Sequence, residues 1–569
     1  MPNILPKTEV VVVGVGWAGG IIASELTKEG MQVVGLERGK KRSSQDFFMV
    51  HDELRYALRY DLMQDVTKET ISFRNEPKQR ALPMRQLGSF LIGEGVGGAG
   101  IHWNGMTFRF DPYDFEIKTK TEERYGKDKA GDLNLQDWGM TYDELEPYFD
   151  KFDQMAGISG EEGHFGGKRS NPFPNPPMKT TPMLQMFKDT TKKMGYHPFM
   201  MPSANMSQNY ENPDGQKMAA CQYCSFCERF GCEYGAKADP TVTVLPVAEK
   251  TGNFDLRTQC NVTEIIYDGK KATGVRYINT QTGETFEQPA DIVVVTSYVL
   301  NNVRLLLQSK IGTPYNPETG EGIIGKNYCY QIYGGASGFF DEEKFNIAMG
   351  AGALGAYIDD FNADNFDHSD KDFLHGGVIM MTQTGARPIS SNPVPPGTPS
   401  WGKDFKKQSL KYFNRTLSVS GQGASLPHKD NYLDLDPTYK DAYGHPLLRM
   451  TYNFTEQDRN LAAYLHEQSA SILKEMGADI VSEADRLGDY SIVPYQSTHN
   501  TGGVIMGDSP ENSAINSYQQ MWEAENIFVT GASSFAHNSG YNPTSTVGAL
   551  AYRAADGIIK YKKEQKILV

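Results

Sequence analysis

Glu9-Val-Val-Val-Val13-Gly14-Val-Gly16-Trp-Ala-Gly19 decides the architecture. A short run of β-branched residues closed by glycine reads as a buried strand, here Glu9 to Val13. Trp17 to Lys28 has helical composition. Met31 to Glu37 is a second strand that ends at Arg38 and Gly39. In that setting the three glycines have separate uses. Gly14 permits the tight turn, Gly16 lets a pyrophosphate approach the backbone, and Gly19 lets the helix pack on the strand. The phosphates would meet the helix N-terminus, where free N–H groups and the dipole favour an anion. Glu37 stands about twenty residues on, with Arg38 beside it, where a carboxylate can accept both ribose hydroxyls. The motif predicts a dinucleotide-binding unit and does not by itself separate NAD from FAD.

The remainder of the 569-residue chain is too long for one ordinary core, so two lobes are expected. Asp291 to Ser309 reads as a strand, to Thr296, running into a helix. Ile527 to Ile559 repeats the order strand, glycine turn, helix. Both should return to the first lobe, making it discontinuous, from residues 1–110, 235–330 and 490–569. Residues 111–234 read as an insertion. It holds a helix from Thr141 to Met155, opened by a capping box with Glu144, and a glycine- and proline-rich connection from Gly160 to Pro182. Residues 331–489 are rich in tyrosine, phenylalanine and β-branched residues, with a proline-rich break from Arg387 to Gly402. They predict a second, mainly antiparallel, substrate-binding lobe. The expected class is therefore mixed α/β and α+β, with a Rossmann-like lobe. Three local expectations complete it: a helix-like region to about Asp65, irregular backbone from Leu91 to Gly105, and a small antiparallel sheet from Phe254–Asn261 and Thr263–Ile278.

Hydrophobic residues are 39% and charged residues 22% of the chain, the balance of a soluble globular protein. The net charge of −14 argues against a nucleic-acid partner. No apolar run is long enough to cross a bilayer. Val10 to Val15 follows no basic start and opens a glycine motif, so no secretion signal is expected and the default location is cytoplasmic.

Four of the six cysteines lie in Cys221-Gln-Tyr-Cys224-Ser-Phe-Cys227-Glu-Arg-Phe-Gly-Cys232. Such clustering reads as a metal or cluster site rather than a disulfide framework. A structural zinc usually takes two Cys-x2-Cys knuckles set well apart, which this segment lacks. The spacing is nearer a bacterial ferredoxin run, but one residue longer at the end and without the following proline. A three-iron cluster would need only three of the thiolates. Iron–sulfur, zinc and plain thiols all stay open on the residues alone.

Glu94-Gly-Val-Gly97-Gly98-Ala-Gly100-Ile-His102-Trp103-Asn104-Gly105-Met106 decides for FAD. This segment resembles the flavin-covering signature of the glucose–methanol–choline oxidoreductases, and the resemblance extends over nearly the whole chain. It implies an FAD-binding lobe in which Gly97, Gly98, Asn104, Gly105 and Met106 face the flavin. It also implies that Val262 offers backbone contacts to the adenine, and that Gly531, Ala532, Asn542, Pro543 and Thr544 complete the cofactor site. In some members a histidine at the place of His102 carries the flavin through a covalent 8α bond. The bland alternative is a histidine packed on the dimethylbenzene edge.

Ser497-Thr-His499-Asn-Thr-Gly-Gly503 and Tyr541-Asn542-Pro543-Thr-Ser-Thr546 resemble, in order and spacing, that family's catalytic histidine and its asparagine or histidine partner. The chemistry needs both. A neutral imidazole can take a hydroxyl proton, and an amide can donate to the same oxygen and hold it. Pro543 suits the first position of a helix capped by Asn542. His537 is a competitor that carries no motif. The cysteine segment further resembles the flavoprotein subunits of gluconate 2-dehydrogenases and related sugar dehydrogenases. That resemblance implies a sugar or sugar-acid substrate, electrons leaving through an iron–sulfur cluster to a cytochrome or quinone, and a small partner subunit able to carry the folded chain out to the membrane. A carboxylate-bearing substrate would call for an arginine or lysine near the flavin, with Arg387 and Lys326 as examples. The competing expectation is a pyranose-oxidase-like enzyme releasing hydrogen peroxide. More distant ones are a flavin-dependent lyase and a zinc-stabilised binding module.

Overall fold

Valines 10 to 13 form the middle of a parallel sheet buried on both faces. This explains an unbroken apolar run where a half-exposed strand would alternate. Val10 and Val12 pack into one core with Ile21, Ile22 and Ala551, while Val11 and Val13 pack into the other with Val34, Leu36 and Val295. The computed structural model describes residues 2–387, 389, 391–482 and 487–568. Among these no helix is long and apolar enough to cross a membrane.

The strand Thr8–Val13 pairs in parallel with Val33–Leu36 on one side and with Thr285–Val295 on the other. Val33–Leu36 continues to Phe254–Arg257, and Thr285–Val295 to Ile527–Val529, again in parallel. Strand order thus reverses at the first strand, which opens a crevice at the carboxyl ends of the sheet. The first half of the long strand Thr285–Val295 extends the sheet differently, pairing antiparallel with Ala272–Asn279, which pairs with Cys260–Tyr267. Helix Trp17–Lys28 packs on Thr544–Glu564, which packs in turn on Tyr142–Ala156. Helix Tyr142–Ala156 follows its capping box as expected, with Thr141 Oγ1 accepting from the Glu144 N–H.

A second, six-stranded sheet is antiparallel throughout: Ile480–Val481, Ile332–Phe339, Thr416–Gly423, Gly377–Thr382, Gly355–Ile358 and Phe199–Met200. Helix Glu456–Glu475 lies across it. The approach is so close that a Cβ on Gly334 would stand 2.1 Å from the Ala462 carbonyl oxygen. A smaller sheet joins Tyr432–Lys440 and Pro446–Thr451 to Ile71–Arg74 and Leu82–Pro83.

Three expectations are corrected. The helix-like region to Asp65 contains only two short turns, Ser44–Phe47 and Leu54–Leu58. Between them Met49 takes φ +53° and gives its N–H to Glu233 at 2.6 Å, so a tertiary contact overrides the local preference. Phe254–Arg257 leaves the antiparallel pair and edges the parallel sheet, because Gln259 at φ +61° turns the chain before Cys260. Asn542 does not cap the last helix. The cap is Pro543, and the helix begins at Thr544.

Candidate active site

One continuous cavity runs from the turn after the second strand, past the glycine fingerprint, to one face of the antiparallel sheet. Gly14 sits at φ +89°, where a Cβ would lie 2.7 Å from Ser297 Cα. Gly16 is less crowded, since a Cβ there would meet Gly98 Cα at 3.8 Å, an ordinary contact distance. The flavin-signature segment is tied to the fingerprint by the Gly97 N–H, which donates to the Val15 carbonyl at 2.7 Å. These two backbones lie side by side, and Gly14, Gly16 and Gly98 line the cavity together.

Glu37 is buried, and burial raises its pKa. Each carboxylate oxygen accepts one backbone N–H, from Val15 at 3.1 Å and Gly39 at 2.9 Å, leaving lone pairs toward the cavity. Arg38 pairs with Glu69 at 3.1 Å, and Arg304, absent from the sequence reading, takes the other Glu69 oxygen at 2.6 Å. Gly14, Gly16, Glu37, Arg38, Gly98, His102, Asn104, Met106, Val262, Gly531, Ala532, Pro543 and Thr544 all line the cavity. Gly19, Gly97 and Gly105, expected at the cofactor, do not. Gly19 is pressed against the first strand, where a Cβ would meet the Gly14 oxygen at 2.1 Å; Gly97 and Gly105 supply turns at φ +92° and +98°.

His102 is buried, and burial pushes its pKa down to about 3, so the ring is neutral. Among the described residues its Nε2 has no hydrogen-bond partner, although the residue lines the cavity. An orphaned buried nitrogen in such a place fits a partner supplied by a bound group.

His499 and Asn542 come together at the far end, with the Asn542 Nδ2 amide donating to His499 Nε2 at 3.1 Å. Burial lowers the His499 pKa to about 3. His499 Nδ1 lies 2.9 Å from Gln331 Oε1, and Gln422 Nε2 donates to Asn542 Oδ1 at 3.3 Å. Neither glutamine was legible as a site residue; Gln422 lies in the strand Thr416–Gly423 and Gln331 directly before the strand Ile332–Phe339. His537 stands apart. Trp138 Nε1 donates to its Nδ1 at 3.2 Å, and its Nε2 donates to Asp114 at 2.9 Å. Asp114 holds His375 in the same way at 2.6 Å. These three side chains bring ligand atoms within 4.8 Å of one another. The indole donation nevertheless requires the lone pair of His537 on Nδ1, which leaves the proton on Nε2 and makes that nitrogen a donor rather than a ligand.

At the end toward the antiparallel sheet the cavity is lined by Glu228, Tyr333, Met380, Thr382, Ser420 and Tyr495. Among the described residues no lysine or arginine lines that end. Arg387 donates to the Glu228 carbonyl at 3.1 Å and stacks on Phe230, and Lys326 lies over Tyr315.

Cys221, Cys224, Cys227 and Cys232 turn toward one small cavity shared with His51 and Phe226. The loop that brings them together has Tyr223, Ser225 and Arg229 in the left-handed region, at φ +55°, +74° and +72°. Each such residue costs roughly 1–3 kcal/mol and persists only where the surroundings fix it. Among the described residues the cysteine sulfurs do not form a set within 4.8 Å of one another. A mononuclear zinc, at about 2.3 Å from each sulfur, would hold them about 3.8 Å apart. The segment abuts the flavin signature. Arg229 N–H donates to the His102 carbonyl at 2.7 Å, and Lys237 Nζ bridges the Trp103 and Cys227 carbonyls at 2.8 and 2.9 Å. Gly352 is sandwiched between them, since a Cβ there would meet Asn104 O at 2.1 Å and Cys227 Cβ at 2.7 Å.

Two family models described as GMC oxidoreductase match residues 130–332 and 427–551. The chain is 41% identical to the gluconate 2-dehydrogenase flavoprotein of Pantoea cypripedii, over 98% of this chain and 94% of that one. It is 29% identical to the 2-methyl-1,2-propanediol dehydrogenase of Mycolicibacterium austroafricanum, over 98% and 96%. Pyridoxine 4-oxidase from Mesorbium loti shares the fold at a TM-score of 0.64 and 14% identity, over 97% and 99% of the two chains.

Proposed function

Because the chain belongs to the GMC oxidoreductase family, FAD enzymes that act on CH–OH donors, we propose that it is a dehydrogenase oxidising a secondary alcohol of a sugar acid or sugar. The observation that carries this reading is the 3.1 Å contact between His499 and Asn542 inside the flavin cavity. His499 is neutral and its Nε2 takes the hydroxyl proton. The Asn542 Nδ2 amide donates to the same oxygen and steadies the developing alkoxide. FAD, when bound, supplies the acceptor for the hydride leaving the carbon. The start of helix Thr544–Glu564 presents its positive end to the cofactor site.

Glu37 would hold the ribose. Glu37→Ala is expected to weaken FAD retention on the order of 10–100-fold, as loss of a charge-assisted hydrogen bond does. Flavin content after gel filtration checks this. His102 would carry the flavin covalently; supporting this, it lines the cavity and its Nε2 has no hydrogen-bond partner among the described residues. Acid-denatured protein is therefore expected to pellet yellow; yellow colour in the supernatant would sink the covalent link.

Cys221, Cys224, Cys227 and Cys232 would hold an iron–sulfur cluster, which supplies one-electron release to a cytochrome or quinone. Two observations support a shared cysteine site: all four cysteines line one small cavity, and the loop that carries them is held in left-handed conformations. A neutral sugar is the second substrate reading. It is favoured by a substrate end on which Glu228 stands without a lining lysine or arginine among the described residues. An oxidase reading would require steady peroxide formation with sugar in air.

The experiment is an anaerobic titration of the purified protein with gluconate and with glucose, followed at the flavin bands. Bleaching by gluconate supports the sugar-acid reading, and bleaching by glucose alone moves the assignment to neutral sugars. Bleaching by neither removes both.

A further inference from the structure

Gln331 is completely buried and does not line the cavity, yet its amide contacts the ring that does. Its Nε2 faces two backbone carbonyls, those of Gly423 and, at 3.0 Å, Ser539. A carbonyl can only accept, so the NH2 end of the amide must point there. Its Oε1 therefore points the other way. There it receives the Asn538 Nδ2 amide at 3.1 Å and stands 2.9 Å from His499 Nδ1. The Asn538 amide is itself oriented by carbonyls, facing those of Tyr330 and, at 3.2 Å, of His499. Every polarity in this network traces back to a backbone group that cannot reverse.

We propose that Gln331 is a positioning residue that locks His499 as the Nδ1–H tautomer and so leaves Nε2 bare as the base. The proposal rests on the reading of His499 as the base. An amide oxygen offers only lone pairs, so the nitrogen facing it must carry the proton. A neutral imidazole has one proton to place. With that proton on Nδ1, the lone pair of Nε2 faces the cavity, where the Asn542 amide already donates to it.

Gln422 does the same for the partner. Its Nε2 is anchored on the Gly540 carbonyl at 2.9 Å and its Oε1 accepts from the Tyr333 hydroxyl at 2.8 Å. That orientation turns a donor to Asn542 Oδ1 and presents Asn542 Nδ2 to His499. The two glutamines meet at one pair of strands, Gln422 within Thr416–Gly423 and Gln331 directly before Ile332–Phe339. Gln422 lies opposite Tyr333, and Gly423, whose carbonyl anchors Gln331, lies opposite Ile332. The antiparallel sheet thus fixes both polarities of a catalytic pair that itself sits on loops.

In Gln331→Met the acceptor is lost while the volume is nearly kept. The second tautomer, with Nε2–H toward the cavity, then has no base to offer. Supporting groups of this kind typically cost 10–100-fold when removed, so kcat should fall by roughly that factor with KM and flavin content little changed. Gln331→Glu retains an oxygen toward Nδ1, and its protonated carboxyl can still donate to a carbonyl, so it should recover most of the loss.

The test is a long-range ¹H–¹⁵N spectrum of the resting holoenzyme labelled at histidine, with His499 assigned by its absence in His499→Ala. The expected result is a protonated-type Nδ1 and a bare-type Nε2 in the native protein, with mixed or reversed shifts in Gln331→Met. A native His499 carrying its proton on Nε2 overturns the proposal, even if the variant does not fold. So does Gln331→Met with native shifts and native kcat. The spectrum needs no turnover, so it is separate from the reading of His499 as base, which fails instead if His499→Ala keeps its activity.

Discussion

His499→Ala is expected to lower kcat roughly 10²–10⁴-fold, the usual contribution of a positioned general base, while flavin content stays native. The loss should fall on kcat rather than on binding, since Nε2 acts on the proton only as the hydroxyl ionises. Flavin should remain because the ring touches Gln331 and Asn542, whereas the fingerprint, Glu37 and Val262 lie at the other end of the cavity. Removing the ring leaves the Gln331 oxygen without one donor and the Asn542 amide without its acceptor, which costs about 1–3 kcal/mol of stability for each group left unpaired. Stopped-flow flavin reduction separates this from misfolding. Burial that holds the His499 pKa near 3 also keeps the ring neutral through the acid range in the native enzyme. The acid limb of kcat/KM should therefore lie well below the ordinary histidine value of about 6.5. Near-native reduction rates in His499→Ala would remove this residue from the mechanism.

Cys227→Ser is expected to separate the two halves of the reaction. Substrate should still bleach the flavin at close to the native rate, because Cys227 contacts the flavin signature from behind, through Gly352 and the Lys237 bridge, and does not line the cavity. Turnover with a one-electron protein acceptor should be abolished, and iron, at about three or four per native chain, should be lost. Burial raises the pKa of Cys221, Cys224 and Cys227 as free thiols, Cys221 to about 12. A bound metal would be what holds such groups as thiolates. Native iron content and native acceptor turnover in this variant would take Cys227 out of the path. A native protein without iron would leave the cysteine loop a structural device.

The dinucleotide half of the molecule was legible because its signals are local. Val10 to Val13 and the Gly14–Gly16–Gly19 spacing each state a backbone requirement within a few residues, and the strand, turn and helix they call for are present. The last strand and helix were legible for the same reason, although the cap moved by one residue because the Asn542 side chain is held by Gln422. What stayed hidden depends on distant pairing. Gln331 and Gln422 are ordinary polar residues in a strand-rich stretch, and only the register of Ile332–Phe339 against Thr416–Gly423 carries them to the catalytic pair. Arg304 was hidden in an apolar helix until Glu69 came beside it. The false helix before Asp65 failed for the complementary reason: Glu233, far along the chain, captures Met49. A sequence announces what its own neighbours require, and is silent where the requirement comes from another strand.

The most direct measurement is anaerobic reduction of the purified flavoprotein by gluconate and glucose, run in parallel on native protein and His499→Ala. Bleaching of the native flavin by one or both sugars is expected, with slow or no bleaching in the variant at equal flavin content. A native flavin that no sugar or sugar acid reduces, or a variant that bleaches as fast as native, would contradict it.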